Sequence, residues 1–386
     1  MNGTMIRRSL RLSFTLFLLV PLLASAGLVP RAPQIEATAY VLMDATTGHL
    51  IVEHNVDKRL PPASLTKIMT DYIAAREIHR GNLDPRETTT VSVRAWRMGG
   101  SRMFIQEGNQ VSVEDLIKGV IISSGNDASV ALAEHIAGSE EAFADLMNQH
   151  ARRLGMENSS FANSTGWPDP DQYTSARDMA ILSRALIREH PENYSLYREK
   201  SFTYNDITQR NRNLLLWRDE SVDGIKTGHT RESGYSLVSS AERDGMRLIS
   251  VVMGANSEQA RARESQSLLN YGFRFFETYK AYDAGESLTP LRVWMGTDNE
   301  VNLGASEDLV VTIPKDSHEK LSAEMSLDSR VRAPVRAGDE LGMVTISLNG
   351  DTLLEKPLVA LSDVERGGIF RRLIDSIVLF FRGLFS

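Results

Sequence analysis

The chain contains no cysteine in its 386 residues. Disulfide bonds are therefore excluded, and so is a lipid attached through an N-terminal cysteine. The stability of the fold has to come from packing instead. Hydrophobic residues make up 42% of the chain and charged residues 24%, which are ordinary values for a globular protein. The length is sufficient for two domains.

The sequence also has no excess of positive charge. Its 43 lysine and arginine residues are outnumbered by 50 aspartate and glutamate residues, which gives a formal net charge of −7. A protein that binds nucleic acid usually carries a strongly basic surface. We therefore expect no nucleic-acid partner.

The apolar run near the N-terminus is short for a membrane-spanning helix, which needs about 20 residues. It follows the three arginines Arg7, Arg8 and Arg11 and precedes Ala24-Ser25-Ala26. This is the order of a cleavable signal peptide. We predict that residues 1–26 direct export and are then removed; the alternative is an uncleaved membrane anchor.

The order of the predicted elements indicates one α+β domain over residues 27–280. Residues 38–55 are typical of two strands around a turn, and apolar residues then follow helical spacing in several segments up to residue 190. From Ser201 the pattern returns to short β-like runs, and a further helix follows. Such an order predicts a sheet that combines strands from both ends of the segment.

Two smaller units are predicted after this domain. Residues 281–361 alternate short strands with turn residues, which is typical of a small all-β domain. Residues 362–386 predict a basic amphipathic helix, and such a helix lies in the membrane interface near anionic lipid. The alternative is a helix that packs on its own protein. Its apolar positions are Ile369, Phe370, Leu373, Ile374, Ile377, Phe381 and Leu384, and Arg371, Arg372, Asp375 and Arg382 are largely on the other side.

Ser64 and Lys67 stand three residues apart, where a loop with two prolines gives way to a helical pattern. Residues three apart share a helix face, so the amine is placed beside the hydroxyl. A serine hydroxyl is a weak nucleophile until a base takes its proton. A lysine becomes that base when burial lowers its pKa towards neutrality. The pair therefore predicts nucleophilic serine chemistry.

Two further motifs accompany this pair. Ser124 and Asn126 form an S-x-N turn between two predicted helices, and Lys226, Thr227 and Gly228 form a K-T-G sequence at the end of a predicted strand. The first offers a hydroxyl for proton relay and an amide for binding a carbonyl group. The second offers positive charge, a hydroxyl and close approach to the backbone. Second copies of S-x-x-K and S-x-N, at 317–320 and 347–349, have no K-T-G after them, and we interpret them as a loop and a hairpin turn.

The ordered trio resembles the signature of penicillin-binding proteins and serine β-lactamases. With the signal peptide, the small β domain and the C-terminal helix, the chain is similar over nearly its whole length to low-molecular-mass penicillin-binding proteins that are serine D-alanyl-D-alanine carboxypeptidases. The segments "VDGIKTGHT" and "GFRFFET" also resemble that family. The resemblance implies a DD-peptidase and β-lactamase-like catalytic domain, with an antiparallel sheet flanked by helices.

The resemblance also implies roles for individual residues. Ser64 attacks the carbonyl group between two terminal D-alanines, and Lys67 accepts its proton. The backbone amides of Ser64 and His229 form the oxyanion hole, while Ser124 passes the proton on with Lys226. Arg263 either approaches this site or makes a surface ion pair. The implied substrate-binding set is Asn126, Lys226, Thr227, Gly228, His229 and Arg212, of which Thr227 and Arg212 hold the terminal carboxylate.

The implied substrate is a peptidoglycan pentapeptide, and β-lactam antibiotics are implied as covalent inhibitors. Neither a metal ion nor a cofactor is expected. The resemblance further implies a periplasmic enzyme of peptidoglycan remodelling and cell-shape maintenance. We expect its C-terminal helix to attach it peripherally to the outer face of the inner membrane.

A serine β-lactamase is the nearest alternative. Class A enzymes use a glutamate to activate the deacylating water, and residues 158–188 contain no glutamate. A DD-endopeptidase of the same fold would be expected to lack the additional β domain. A non-catalytic wall-binding protein would not need both Lys67 and Lys226. The sequence therefore favours the carboxypeptidase.

Overall fold

The computed structural model describes residues 29–384 of the chain. The predicted signal peptide lies outside this part. The described helices are α1 Lys67–His79, α2 Val93–Arg97, α3 Val113–Ile121, α4 Asn126–Ala137, α5 Glu140–Leu154, α6 Ala176–Glu189, α7 Pro191–Tyr194, α8 Glu258–Phe275 and α9 Ile369–Leu384.

The strands divide between two bodies of the molecule. Those before α8 are β1 Ala39–Asp44, β2 Leu50–His54, β3 Thr88–Thr90, β4 Gln110–Ser112, β5 Ser201–Tyr204, β6 Ile207–Arg210, β7 Val222–Thr230, β8 Gly234–Arg243 and β9 Met246–Ala255. Those after α8 are β10 Phe276–Tyr282, β11 Thr289–Trp294, β12 Glu300–Gly304, β13 Leu309–Pro314, β14 Leu321–Leu327, β15 Val331–Arg332, β16 Glu340–Leu348 and β17 Asp351–Ala360.

The central sheet confirms the predicted combination of strands from both ends of the first domain. Its order is β2-β1-β9-β8-β7, and each neighbouring pair is antiparallel. Side chains alternate between its faces. Val41 and Val251 pack in the core shared with α1 and α3 to α6, while Leu42 and Val252 pack in the core shared with α8. The sheet is therefore covered by helices on both sides.

Helix α1 is the central element of the helical layer. Every residue from Lys67 to Ala75 is buried, which is expected for a helix that other elements surround. The predicted start of this helix at Ser64 is a 3₁₀ turn, Ala63–Thr66, that leads directly into α1. Ser64 is half-buried at this turn, and the residues that follow it are buried in the core.

Capping residues mark the starts of α5 and α8 and the end of α5. Ser139 and Ser257 each accept a hydrogen bond at the start of α5 and α8, from Ala142 N and Ala260 N respectively, which satisfies a free amide of the first turn. Gly155 follows α5 with a left-handed φ of 76°, a conformation that favours glycine.

The second body is the predicted all-β domain. Six strands form a sheet in the order β14-β16-β17-β12-β11-β15, and β10 pairs with β13. Alternate residues such as Val293, Leu303 and Ile346 share one apolar core. The second S-x-N sequence lies in the hairpin between β16 and β17, where Asn349 has a left-handed φ of 53°. It is turn geometry, as the sequence predicted.

Asp44, at the end of β1, joins the two bodies. Its carboxylate is fully buried and accepts hydrogen bonds from Thr278 Oγ1 at 2.6 Å and Thr312 Oγ1 at 2.8 Å. It also accepts from the backbone N–H of Thr46 at 2.8 Å. A buried charge needs such donors to offset the loss of hydration, so this residue fixes the β domain on the edge of the catalytic domain.

We predict that Asp44→Ala lowers the free energy of unfolding by about 2–3 kcal/mol, since it leaves buried donors without an acceptor. Urea denaturation followed by fluorescence measures the change. Asp351→Ala is the matched control, because Asp351 is exposed at the start of β17 and should change the value by less than about 0.5 kcal/mol. Equal effects of the two substitutions would contradict the junction described here.

Candidate active site

Lys67 and Ser64 meet at the start of α1. The amine of Lys67 is fully buried, and its Nζ lies 3.2 Å from Ser64 Oγ. Two acceptors complete its surroundings, Asn126 Oδ1 at 2.7 Å and the backbone oxygen of Thr165 at 2.6 Å. The three partners come from three separate parts of the chain, so the fold builds the contact.

Burial lowers the pKa of Lys67 to about 7. That value includes a smaller lowering by the positive charge of Arg212 and the opposing effects of Asp127 and Glu140. A neutral amine has two N–H groups and one lone pair. Asn126 and Thr165 accept the two N–H groups, which directs the lone pair at the hydroxyl of Ser64. The geometry is that of a general base beside a nucleophile.

The loop of residues 163–167 closes over the turn that carries Ser64. A Cβ atom on Gly166 would lie 1.8 Å from the backbone oxygen of Ala63 and 3.0 Å from Ser64 N, and its φ is +85°. Asn163 holds this loop, because its Oδ1 accepts from the N–H groups of Thr165 at 3.2 Å and Gly166 at 2.9 Å. The same loop supplies the Thr165 oxygen to Lys67.

The S-x-N motif occupies the connection between α3 and α4. Ser124 is buried with a left-handed φ of 57°, and Asn126 begins α4. The Asn126 side chain also donates from Nδ2 to the Gly99 oxygen at 2.7 Å, so one of its two amide hydrogens remains for another acceptor. Asp127 accepts from the backbone N–H groups of Met103 and Phe104, each at 2.8 Å, which ties the segment between α2 and β4 to this turn.

The K-T-G motif lies on the edge strand β7 and packs against the serine turn. A Cβ atom on Gly228 would lie 3.0 Å from Pro62 O and 3.2 Å from Leu65 Cγ, so glycine permits the close approach. Lys226 and Thr227 are both buried. Burial and then the charge of Lys67 lower the pKa of Lys226, because two cations near each other in a dry site are unfavourable.

Arginine side chains add to the positive potential of this cleft. Arg212 is exposed and donates from Nη1 to Ser101 Oγ at 2.6 Å. Arg261 on α8 is buried and donates to the Gly228 oxygen at 3.2 Å. Both lower the pKa of Lys226, so the cleft is suited to an anionic group.

Some of the predicted site residues are hydrogen-bonded to one another, and others only lie beside them. Ser64, Lys67 and Asn126 form one hydrogen-bonded cluster. Gly228 packs on the turn that bears Ser64. The ring of His229 is exposed and stacks on Tyr235 with centroids 3.9 Å apart. Within residues 29–384, no group of three or more histidine, aspartate or glutamate side chains is arranged to hold a metal ion.

Three contributors to the site were missed from the sequence. The oxygen of Thr165 is a backbone atom and has no signature in a sequence. Asp127 directly follows the S-x-N motif, which is the one signal that it gave. Arg261, and not Arg263, is the arginine of α8 that faces the sheet; Arg263 is 59% exposed and pairs with Glu264 at 2.7 Å. Helical spacing of Arg261 with the buried apolar residues of α8 was the available signal.

Residues 27–257 match the family described as D-alanyl-D-alanine carboxypeptidase, and residues 276–366 match the penicillin-binding protein 5 C-terminal domain. D-alanyl-D-alanine carboxypeptidase DacC of Escherichia coli is 44% identical over 96% of this chain and 95% of its own length.

Solved structures agree with these matches. Penicillin-binding protein 5 from Haemophilus influenzae is 44% identical, with a TM-score of 0.84 over 87% of this chain and all of that chain. Penicillin-binding protein D2 from Listeria monocytogenes in its ampicillin-bound form is 29% identical, with a TM-score of 0.58 over 62% of this chain and all of that chain.

We predict that Gly166→Ala is more damaging than Gly155→Ala. Both positions have a left-handed φ, but only at Gly166 does a Cβ atom meet other atoms within 4 Å. The φ strain alone should cost about 1–2 kcal/mol, and the clash with Ala63 should add about 1–3 kcal/mol. Urea denaturation of the two variants measures the difference. Equal losses of stability would show that the loop of residues 163–167 does not press on the serine turn.

Proposed function

The chain belongs to the D-alanyl-D-alanine carboxypeptidase family, and on this premise we propose that it removes the terminal D-alanine from peptidoglycan pentapeptides through a serine acyl-enzyme. The observation that carries the proposal is the 3.2 Å contact between Ser64 Oγ and the buried amine of Lys67. Its cellular role is then peptidoglycan remodelling and maintenance of cell shape. The relatives' names favour this activity over a β-lactamase or an endopeptidase.

Acylation begins at Ser64. As its Oγ bonds to the carbonyl carbon of the penultimate D-alanine, its proton moves to Lys67. The carbon–nitrogen bond to the terminal D-alanine then breaks, and the leaving amine receives a proton by way of Ser124 and Lys226. Two features support this relay: Ser124 is buried on the turn that also carries Asn126, and Lys226 is close enough for the charge of Lys67 to lower its pKa.

The developing oxyanion is held by the backbone N–H groups of Ser64 and His229. Fixed amides stabilise negative charge that appears in the transition state. The packing of Gly228 against the serine turn supports this role, since it brings the two backbone segments together. Asn126 binds the acyl-side amide with the amide hydrogen that Gly99 leaves free.

The terminal carboxylate is bound by Arg212 and Thr227. The arginine is exposed at the cleft, and its positive charge lowers the pKa of both Lys67 and Lys226. Water then hydrolyses the acyl-enzyme and regenerates the Ser64 hydroxyl. A β-lactam enters the same pathway, because its ring amide is attacked by Ser64 and its carboxylate takes the place of the peptide carboxylate.

We also propose that α9 attaches the mature enzyme peripherally to the outer face of the inner membrane, on the periplasmic side. The polar side of α9 is docked on the β domain: Asp375 accepts from Met295 N at 2.6 Å, and Arg371 donates to the Thr297 oxygen at 2.8 Å. The apolar side points away, with Ile369 81% and Phe370 84% exposed. An exposed apolar face beside basic residues suits anionic lipid. No helix within residues 29–384 is both long and apolar enough to cross a membrane.

Acylation by a penicillin should become faster as the pH rises, with half of the maximal rate near pH 7. The reason is that only the neutral amine of Lys67, whose pKa is lowered to about 7, accepts the proton of Ser64. Stopped-flow measurement with a fluorescent penicillin between pH 5.5 and 9 tests this. Lys67→Arg stays charged throughout and should be slower by about 100-fold or more.

Ser64→Ala is the control for that experiment, and mass spectrometry should find no covalent adduct on it. A rate for the natural enzyme that does not change with pH would contradict the role of Lys67. An adduct on another serine would contradict the role of Ser64.

Attachment to lipid should depend on the outward face of α9. The double variant Phe370→Ser with Ile374→Ser removes large side chains that are 84% and 61% exposed and should lose most of its binding. Sedimentation with vesicles of phosphatidylethanolamine and phosphatidylglycerol measures it. Ser376→Ala, a change at an exposed residue whose hydroxyl bonds within the helix to Arg372, is the matched control. Full retention of the double variant on vesicles would refute the anchor.

A further inference from the structure

A buried ion pair lies behind the loop of residues 163–167, and the mechanism above gives it no part. Glu140, the first residue of α5, is 4% exposed. Its Oε2 lies 2.8 Å from Nη2 of Arg94 on α2. Removing a carboxylate from water is costly unless it is paired and hydrogen-bonded. The contacts of its other oxygen show which part of the chain this carboxylate holds.

The second carboxylate oxygen of Glu140 binds Ser164 through two hydrogen bonds. This Oε1 accepts from the backbone N–H of Ser164 at 3.1 Å and from its hydroxyl at 2.8 Å. Ser164 is fully buried, so loss of the oxygen would remove the acceptor of two donors that water does not reach. Leaving buried donors unsatisfied is costly. Glu140 therefore holds one end of residue 164.

The other end of the same residue is held by α1. Thr70 lies about one turn beyond Lys67 on that helix, and its Oγ1 donates to the Ser164 oxygen at 2.7 Å. The next carbonyl group along the chain is that of Thr165, whose oxygen accepts from Lys67 Nζ at 2.6 Å. The backbone that carries this acceptor is therefore fixed between Glu140 and Thr70.

The charge of Glu140 also acts on the amine itself. Burial lowers the pKa of Lys67, and the charge of Arg212 adds to the lowering. Asp127 on α4 and Glu140 on α5 raise it. Lys226 on β7 is a further buried cation that interacts with this amine. Removing the negative charge of Glu140 without changing its shape therefore favours the uncharged amine.

We propose that Glu140 is a positioning residue for the general base. Its carboxylate holds Ser164 so that the oxygen of the next residue accepts one N–H of Lys67, and the lone pair of that amine then points at the nucleophile. The inference rests on the proposed function. Glu140 acts through the loop and through its charge. A change at this side chain should therefore affect both the maximal rate of acylation and its pH dependence.

The test is the pH dependence of acylation by a fluorescent penicillin, measured by stopped flow between pH 5.5 and 9. Glu140→Gln keeps an oxygen for Ser164 but carries no charge, so its maximal rate should change little. The pH of half-maximal rate should fall by about half a unit or more, because a negative charge that stabilises the Lys67 ammonium is removed.

Two further variants test the positioning. Glu140→Ala removes both the charge and the acceptor, so its pH of half-maximal rate should also fall, and its maximal rate should be about tenfold or more below that of Glu140→Gln. Thr70→Val removes the donor to the Ser164 oxygen and should also lower the maximal rate. Glu141→Gln is the matched control and should change neither value, because Glu141 is 70% exposed although it pairs with the same Arg94 at 2.6 Å.

The outcomes separate this inference from the proposed function. A natural enzyme that forms no penicillin adduct would overturn the serine acyl-enzyme itself. If the natural enzyme is acylated, an unchanged or raised pH of half-maximal rate in Glu140→Gln would overturn the inference, and so would an equal shift in Glu141→Gln. Equal maximal rates for Glu140→Ala and Glu140→Gln would refute the positioning. Partial unfolding of a variant would lower its maximal rate but leave its pH of half-maximal rate in place.

Discussion

The site depends on keeping the amine of Lys67 uncharged inside the domain. A lysine in water holds its proton, and removing that proton near neutral pH requires burial. Here α1, α4 and the loop of residues 163–167 surround the side chain, and two oxygen acceptors account for both N–H groups of the neutral amine. Without those acceptors the buried amine would be an unsatisfied donor, which is costly. The buried amine of Lys67 is therefore the base, and its lone pair is oriented towards the nucleophile Ser64.

The other charged groups of the site act on the pKa values of Lys67 and Lys226. The cations Arg212 and Arg261 make the cleft positive and lower the pKa of Lys226, and Arg212 also lowers the pKa of Lys67. Carboxylates at Asp127 and Glu140 oppose this effect on Lys67 while holding backbone segments of the site. The same potential that favours an uncharged base favours an anionic substrate. The positive potential of the pocket thus serves both the activation of Ser64 by Lys67 and the binding of the substrate.

Hydrogen bonds attach the β domain to the catalytic domain and α9 to the β domain. Asp44 joins the first to the sheet through buried hydrogen bonds, and Asp375 and Arg371 join α9 to the β domain. Because α9 uses its polar side for this contact, its apolar side faces outward. Both alternatives drawn from the sequence for this helix, contact with its own protein and an apolar face free for lipid, are therefore compatible.

The sequence by itself determined the fold class, the pairing of Ser64 with Lys67 and the order of the three motifs, because these depend on local spacing and on residue type. It also separated the S-x-N of the site from the copy in the β16–β17 hairpin. The tertiary structure alone decided the state of Lys67, since its pKa depends on burial by distant segments and on the Thr165 oxygen, a backbone atom. It also decided that Arg261 and not Arg263 supports β7, and that Glu140 holds the loop of residues 163–167. Desolvation and backbone acceptors are created by long-range packing, which local patterns in a sequence do not record.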